Sequence, residues 1–411
     1  MSSRSCDVAV VGAGPAGAAT ALYAARAGLD VVLIDKRRFP RDKICGDAVA
    51  RKSLSHLREL GLLDRVRADT HEAIGRAVLS SPGGREIAID LSSRQEPSPH
   101  MVCRREIFDN VLVEAARTQC TVIEGAAVTD VVRDRGRVNG VTLRDGAEER
   151  EVRARVVVGA DGFDSVVARR LGFYKHDSSR WFVATRGYYR GLDVEPRTVE
   201  VHFFDETLPG FLWLFPTGDG IVNVGLGLVH IDLKRRHVKL RDVHEAVIAS
   251  PRMRERFRGS ERIGDVHGWN LPTPDPSRTL AGDGFLLAGD AAGLVDPFSG
   301  EGIGNALDSA KVAAGVIAES LQARDAKESA CLLSQYQKRL WSEVDGREIA
   351  LHYKLRSLAR SRRTIDFLVG RAAARPDVLS WLQSMTSNQG AIARKRDLLS
   401  PLTYARLFMK R

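Results

Sequence analysis

Asp7-Val8-Ala9-Val10-Val11 leads into Gly12-Ala13-Gly14-Pro15-Ala16-Gly17, and the apolar run that follows closes on Asp35. Residues 8–11 are β-branched and apolar, the composition of a strand buried on both faces in a parallel sheet. Gly12 permits a tight turn, Gly14 lets the backbone approach a pyrophosphate, and Gly17 lets a helix pack closely on the strand. An alanine-rich helix over 15–27 stops at Gly28, a natural residue just past a helix end. Ala16 lies in its first turn, where free N–H groups and the positive end of the dipole face a phosphate. A second strand over 31–34 delivers Asp35, whose carboxylate can accept both hydroxyls of a ribose, with Lys36 directly after it. Strand, glycine turn, helix and acid in this order predict a dinucleotide site. From this fingerprint alone, NAD(P) and FAD both fit.

A second signature decides between them. Gly284-Phe285-Leu286-Leu287-Ala288 leads into Gly289-Asp290-Ala291-Ala292-Gly293. Pro297-Phe298-Ser299-Gly300-Glu301-Gly302-Ile303-Gly304 follows, then an alanine-rich helix to about 320. Asp290 suits a ribityl hydroxyl and the second phosphate. The turn carrying Gly300, Gly302 and Ile303 suits a flavin pyrimidine edge, where a helix N-terminus stabilises negative charge. Two such motifs, one at each end of one domain, select FAD. Between them, Val156-Val157-Val158-Gly159-Ala160-Asp161-Gly162 reads as a further strand ending in a Gly/Asp turn, adding Asp161 to the cofactor set.

Three passages then carry a family resemblance: Phe39-Pro40-Arg41-Asp42-Lys43-Ile44-Cys45-Gly46-Asp47; Trp213-Leu214-Phe215-Pro216 running into Val222-Asn223-Val224-Gly225-Leu226-Gly227; and residues 289–303. The chain resembles the flavoprotein superfamily of the aromatic hydroxylases, and more closely its geranylgeranyl reductase branch, over roughly residues 5–320. The resemblance implies an α/β fold: a Rossmann-like FAD-binding domain with an inserted antiparallel β-sheet substrate domain and a helical C-terminal region. Residues 1–75, 101–175 and 269–325 are expected to form the FAD domain. Residues 76–100 and 176–268 form the substrate domain, and 326–411 a basic helical region. The implied activity is reduction of isolated C=C bonds in a geranylgeranyl or polyprenyl chain, with NAD(P)H or reduced ferredoxin as external reductant. Cys45 is then the catalytic candidate, a thiol beside the isoalloxazine that protonates the carbon opposite the hydride, with Gly46 next to the flavin. Its alternative is a small buried hydrophobe. Arg105 matches the family's flavin-binding arginine, with Arg104 competing for the register. Trp213 and Phe215 are expected to line an apolar tunnel for the substrate, or else simply to pack in the sheet. The family often has Tyr two positions before the motif Trp; here it is Phe211.

Composition sets outer bounds. The chain has 411 residues, 44 % of them hydrophobic, enough for one large interleaved or two separate domains. Five cysteines without a C-x-x-C argue against a disulfide framework and a structural metal site. Cys6, Cys103, Cys120 and Cys331 are expected to be packing residues on strands and helices. The early start of the first strand and the lack of an 18-residue apolar run point to a cytoplasmic chain, peripheral at most to a membrane. The net charge is +10, and residues 351–411 hold thirteen Lys/Arg against three Asp/Glu. That region suits a solvated face, contact with anionic lipid, or docking of an acidic electron-donor protein; no nucleic-acid motif accompanies it. Two other functions stay open at this point: an FAD monooxygenase or epoxidase acting on a prenylated or aromatic small molecule, and an FAD-containing docking protein. A halogenase is disfavoured, since no lysine occurs between Lys52 and Lys175 and the motif reads Trp-x-Phe-Pro.

Overall fold

The computed structural model describes residues 4–379 apart from 70, 93–97, 99, 175, 176 and 345. The apolar residues Trp381 and Leu382 and the basic residues Arg394, Lys395 and Arg396 lie outside the described residues. β1 (Arg4–Val11), α1 (Pro15–Arg26) and β2 (Val31–Asp35) form the opening unit, with Gly28 left-handed just beyond the helix. A small second layer follows: β3 (Ala48–Val49), α2 (Arg51–Glu59), α3 (Leu63–Arg67) and β4 (Glu72–Ile74). A hairpin follows, β5 (Arg76–Ser80) and β6 (Glu86–Asp90). β7 (His100–Val102) pairs with β3 and β4 and leads into α4 (Arg105–Arg117).

Two strands come next. β8 (Thr121–Glu124) runs parallel to β2; at Gly125, where φ is +76°, the chain turns away into β9 (Ala127–Asp134). β10 (Arg137–Asp145) and the twelve-residue β11 (Glu148–Gly159) complete an antiparallel flap. β11 starts in the flap and finishes parallel to β1, so the apolar run 156–158 is its buried end and not a separate strand. α5 (Val166–Arg170) closes this part.

The second sheet, the substrate sheet of the sequence-based expectation, contains β12 (Trp181–Arg190), β13 (Thr198–His202), β14 (Leu212–Gly218) and β15 (Ile221–Val229). α6 (His230–Arg236) and α7 (Leu240–Ile248) cover one face, and β16 (Glu261–Pro272) pairs with β12. The order is β16-β12-β15-β14-β13-β5-β6, antiparallel except at β13/β5. The boundary expected between 268 and 269 falls inside β16, which continues to Pro272 because its pairing with Trp181 does. β17 (Ala281–Gly282) and β18 (Phe285–Leu287) return to the first sheet, followed by α8 (Ile303–Leu321).

The C-terminal region is helical as expected, and its helices pack on two different cores. α9 (Ala326–Ser334) and α10 (Tyr336–Glu343) place Leu333, Tyr336 and Leu340 in the core of the first domain, and the Tyr336 hydroxyl donates to the Leu287 carbonyl at 2.9 Å. α11 (Gly346–Leu358) keeps Ile349 in that same core, and α12 (Arg362–Ala374) turns instead to the substrate sheet. There Ile365, Val369 and Ala372 pack with Ile87, Ile89 and Phe203. Cys6 and Cys103 are buried, and Cys120 is half-buried just before β8. Cys331 is exposed on α9, where a helix facing solvent gives it nothing to pack against.

Candidate functional site

The carboxyl ends of β1, β2 and β11 meet where the glycine turn begins. A Cβ on Gly17 would lie 1.7 Å from the Gly12 carbonyl oxygen, so α1 can approach β1 only through a glycine. α1 begins at Pro15 on Gly14, with no side chain capping its N–H groups and no acidic residue in its first turn. Asp35 is buried at the end of β2; it accepts the Ala13 N–H at 2.7 Å and the Arg37 N–H at 2.8 Å. These two bonds aim the carboxylate into the turn and leave each oxygen a free lone pair. Lys36 is exposed.

The downstream signature lands on the same turn. Gly289 is left-handed at φ +58°, and a Cβ there would sit 2.7 Å from the Ala16 methyl. Asp290 pairs with Lys43 at 3.1 Å, and Gly302 stands beside it. α8 starts at the buried Ile303 on Gly302, again with no side-chain cap and no acid in its first turn. Gly300 is left-handed in the turn before it. Two uncapped helix N-termini therefore flank one cleft floored by glycine, with an acid ready for a ribose. This cradle fits FAD: the α1 end and Gly12, Gly14 and Gly17 toward the pyrophosphate, Asp35 toward the ribose, and the α8 end with Asp290 toward the flavin side. Asp161 differs from expectation. Its carboxylate accepts Ser165 Oγ and the Val166 N–H, both at 2.6 Å, so it caps α5, and only its backbone abuts Gly12.

A second cluster joins this cleft to the substrate sheet. Arg105, the first residue of α4, is 3 % exposed and grips Asp109 with Nε and Nη2, each at 2.7 Å. Arg41 adds a third bond to Asp109 at 2.7 Å. Arg104 turns the other way and lies over the Tyr188 ring at 5.3 Å. The Arg105 guanidinium also reaches the Cys45 sulphur, as does the Asp47 N–H. Burial pushes the Cys45 thiol up, while Arg105 and the Asp47 N–H act in the opposite sense.

Strand periodicity then sets what faces this turn. Leu212 and Leu214 enter the core shared with Val243 and Val247 of α7, so Trp213 and Phe215 face the other way. The register places Tyr188, Asn223 and Phe215 in one row across β12, β15 and β14. A Cβ on Gly46 would lie 3.5 Å from both Phe215 and the Trp213 indole nitrogen. Trp213 Nε1 donates to Asn223 Oδ1 at 2.9 Å; Asn223 Nδ2 donates to the Cys45 carbonyl at 2.8 Å and to Asp47 Oδ2 at 2.7 Å. The Tyr188 hydroxyl donates to the same Asp47 oxygen at 2.7 Å. Phe211, Trp213 and Phe215 form a row of rings with centroids 6.4 and 6.2 Å apart. The Cys45-Gly46-Asp47 turn is thus clamped between α4 and the aromatic face of the sheet. Sequence reading missed Arg41, Asp47, Asp109, Tyr188 and Asn223 as site residues. Asn223 carried a signal, a lone amide in an apolar strand, and Asp109 stands four residues after Arg105, one helical turn away.

This architecture and cradle define an FAD-dependent flavoprotein oxidoreductase. The model of the FAD binding domain family matches residues 5–340. The chain is 35 % identical over 332 residues to menaquinone reductase of Mycobacterium tuberculosis, covering 78 % of each. It is 31 % identical over 368 residues to digeranylgeranylglycerophospholipid reductase of Methanothrix thermoacetophila, covering 85 % of this chain and 86 % of that one. A geranylgeranyl bacteriochlorophyll reductase-like structure from Thermoplasma acidophilum superposes with a TM-score of 0.83 at 24 % identity, covering 97 % of this chain and 100 % of that one. The chain belongs to the FAD binding domain family, as a geranylgeranyl reductase-type FAD oxidoreductase.

Proposed function

We propose that the chain reduces a C=C bond in the polyprenyl chain of a membrane-borne isoprenoid, with an isoprenoid quinone of the menaquinone kind as the first substrate to test. The observation that carries this reading is the placement of Cys45. It is a half-buried thiol on the turn between the FAD cradle and an apolar aromatic face. FAD, when bound, supplies the hydride. The residues of this chain do the rest. Gly12, Gly14, Gly17, Asp35, Asp290, Gly302 and Arg105 hold the cofactor. Trp213 and Phe215 hold an apolar chain against the turn and exclude water. Cys45 gives its proton to the carbon opposite the hydride, and Arg105 with the Asp47 N–H steadies the thiolate left behind. An apolar wall and a single proton donor suit an unactivated alkene, which offers no oxygen to polarise. The relatives named for menaquinone and for a digeranylgeranyl lipid share such chains in their substrates.

The reductant is NAD(P)H or a reduced ferredoxin-type protein, distinguished by which one bleaches oxidised holoenzyme without oxygen. Among the described residues no helix is long and apolar enough to cross a membrane. A bilayer-dissolved substrate is met at the membrane surface in this reading, with the basic C-terminal region as the contact. The test is to reduce the holoenzyme anaerobically and add menaquinone, a digeranylgeranyl lipid or a saturated analogue. Return of the oxidised flavin spectrum with menaquinone but not with the saturated analogue supports the reading. No return with any polyprenyl compound refutes it.

A further inference from the structure

Asp47 is fully buried and sits at φ +62°, the left-handed region that aspartate enters more readily than most residues. Its Oδ2 accepts two hydrogen bonds, from Tyr188 and Asn223, while its Oδ1 is buried with no hydrogen-bond partner among the described residues. A carboxylate held this way is anchored by one oxygen and leaves the other to carry a proton. The anchoring is elaborate: Asn223 is itself fixed by Trp213, and the Asp47 carbonyl accepts the Cys103 N–H at 2.9 Å. The groups facing Asp47 are Cys45 on its own turn, Cys103 beyond β7, Arg105 from α4, Arg186 and Tyr188 from β12, and Asn223 from β15. Arg186 is held over the Tyr188 ring at 4.3 Å and pairs with the exposed Asp42. Tyr188, whose hydroxyl bonds Asp47, is half-buried, so the cluster has one partly exposed member on this side.

We infer that Asp47 is the proton store of the site, returning a proton to Cys45 after each reduction and refilling from water on the Tyr188 side. This rests on the reading of Cys45 as the proton donor. In the reduction, the Cys45 S–H bond breaks and its proton forms one new C–H bond, while the hydride forms the other. The thiolate then takes the proton from the Asp47 carboxyl, and the Asp47 carboxylate takes one from water. Neither residue changes oxidation state. The phenol that the family often places at position 211 is Phe211 here, and the Tyr188 hydroxyl enters the same cluster from another strand. Burial lifts Asp47 to about 6, against the hydrogen bonds of Tyr188 and Asn223 and the charges of Arg186 and Arg105, so it can hold a proton near neutral pH.

The test uses the holoenzyme and D47N. Prereduced D47N should still form a first equivalent of product, since Cys45 starts with its own proton. Later turnovers, with excess dithionite, should slow about a hundredfold. The wild-type multiple-turnover rate should fall as pH rises through about 6, and this limb should be missing in D47N. A readout independent of turnover is alkylation of Cys45 in oxidised holoenzyme by iodoacetamide, followed on its peptide by mass spectrometry. The Asp47 charge raises the Cys45 thiol, so D47N should react several-fold faster at neutral pH. If D47N does not fold, Y188F takes its place: loss of that hydrogen bond should move the pH limb upward. D47N with unchanged later turnovers and an intact limb, or Y188F with an unmoved limb, overturns the inference while leaving Cys45 as donor. Cys45→Ala with unimpaired turnover overturns both.

Discussion

In the proposed function Asp35 holds and Cys45 reacts, and substitution should separate the two roles. Asp35→Ala removes the ribose acceptor and frees the Ala13 N–H it restrains. FAD should bind more weakly by about 1.5–3 kcal/mol, the range for hydrogen bonds to a charged group. Fluorescence titration of apoprotein with FAD measures this; unchanged affinity would place the ribose elsewhere. Cys45→Ala should retain a full complement of FAD yet slow product formation about a hundredfold or more. Retained FAD with wild-type product formation would make Cys45 a packing residue. Cys45 was legible because it sits in a dense motif. Its supports were not, since Asn223 and Tyr188 come from strands far away in sequence and meet it only through sheet register. Arg104 and Arg105 could not be told apart from sequence, because which neighbour turns inward depends on where α4 begins.

Elements were read best where chemistry fixes backbone geometry. The β1–α1–β2 unit follows from its glycines, and Gly17→Ala checks it: the added methyl would collide with the Gly12 carbonyl at 1.7 Å. Overpacking of this kind costs about 1–3 kcal/mol, and this variant should also lose FAD. A variant with normal melting temperature and FAD content would contradict the packing. Strand limits were harder to read, because a strand such as β11 pairs antiparallel with the flap at one end and parallel with β1 at the other, and only its last residues carry the apolar signature. On the outer face of the substrate sheet, β13 buries Glu200 under Arg256, with His202 beside it. Burial alone would raise this carboxyl, but Arg256 and His202 hold it down to about 2. Its folded value is below the ordinary 4.5, so the stabilisation is complete above that pH and fades as pH falls toward 2. Glu200→Ala should cost about 3 kcal/mol near neutrality, with a smaller deficit near pH 3. Urea unfolding at the two pH values measures it; an equal deficit at both would assign the loss to packing.

At the scale of the whole molecule, the expected basic C-terminal region divides. α9, α10 and Ile349 of α11 complete the FAD-domain core, and α12 covers the second sheet beside its aromatic row. Charge counting registered the basic excess but could not say which helices pack where, since that depends on partners distant in sequence. An enzyme whose substrate dissolves in bilayers should bind anionic vesicles weakly, each basic residue near the surface adding up to about 1 kcal/mol. Binding should fall with salt as the Debye length shrinks from about 10 Å at 0.1 M to about 3 Å at 1 M. Reversing charge at Arg394, Lys395 and Arg396 should weaken sedimentation with anionic vesicles and leave neutral ones unaffected. Equal sedimentation with both kinds of vesicle would remove the electrostatic contact.

The central claim is that this fold directs hydride and proton onto an isolated double bond. The most direct measurement is the mass of the product formed from menaquinone by reduced holoenzyme, once without oxygen and once in air. The account predicts a gain of two hydrogens in the polyprenyl chain under both conditions. No product without oxygen, with a gain of one oxygen atom in air, would contradict it and make the chain a monooxygenase.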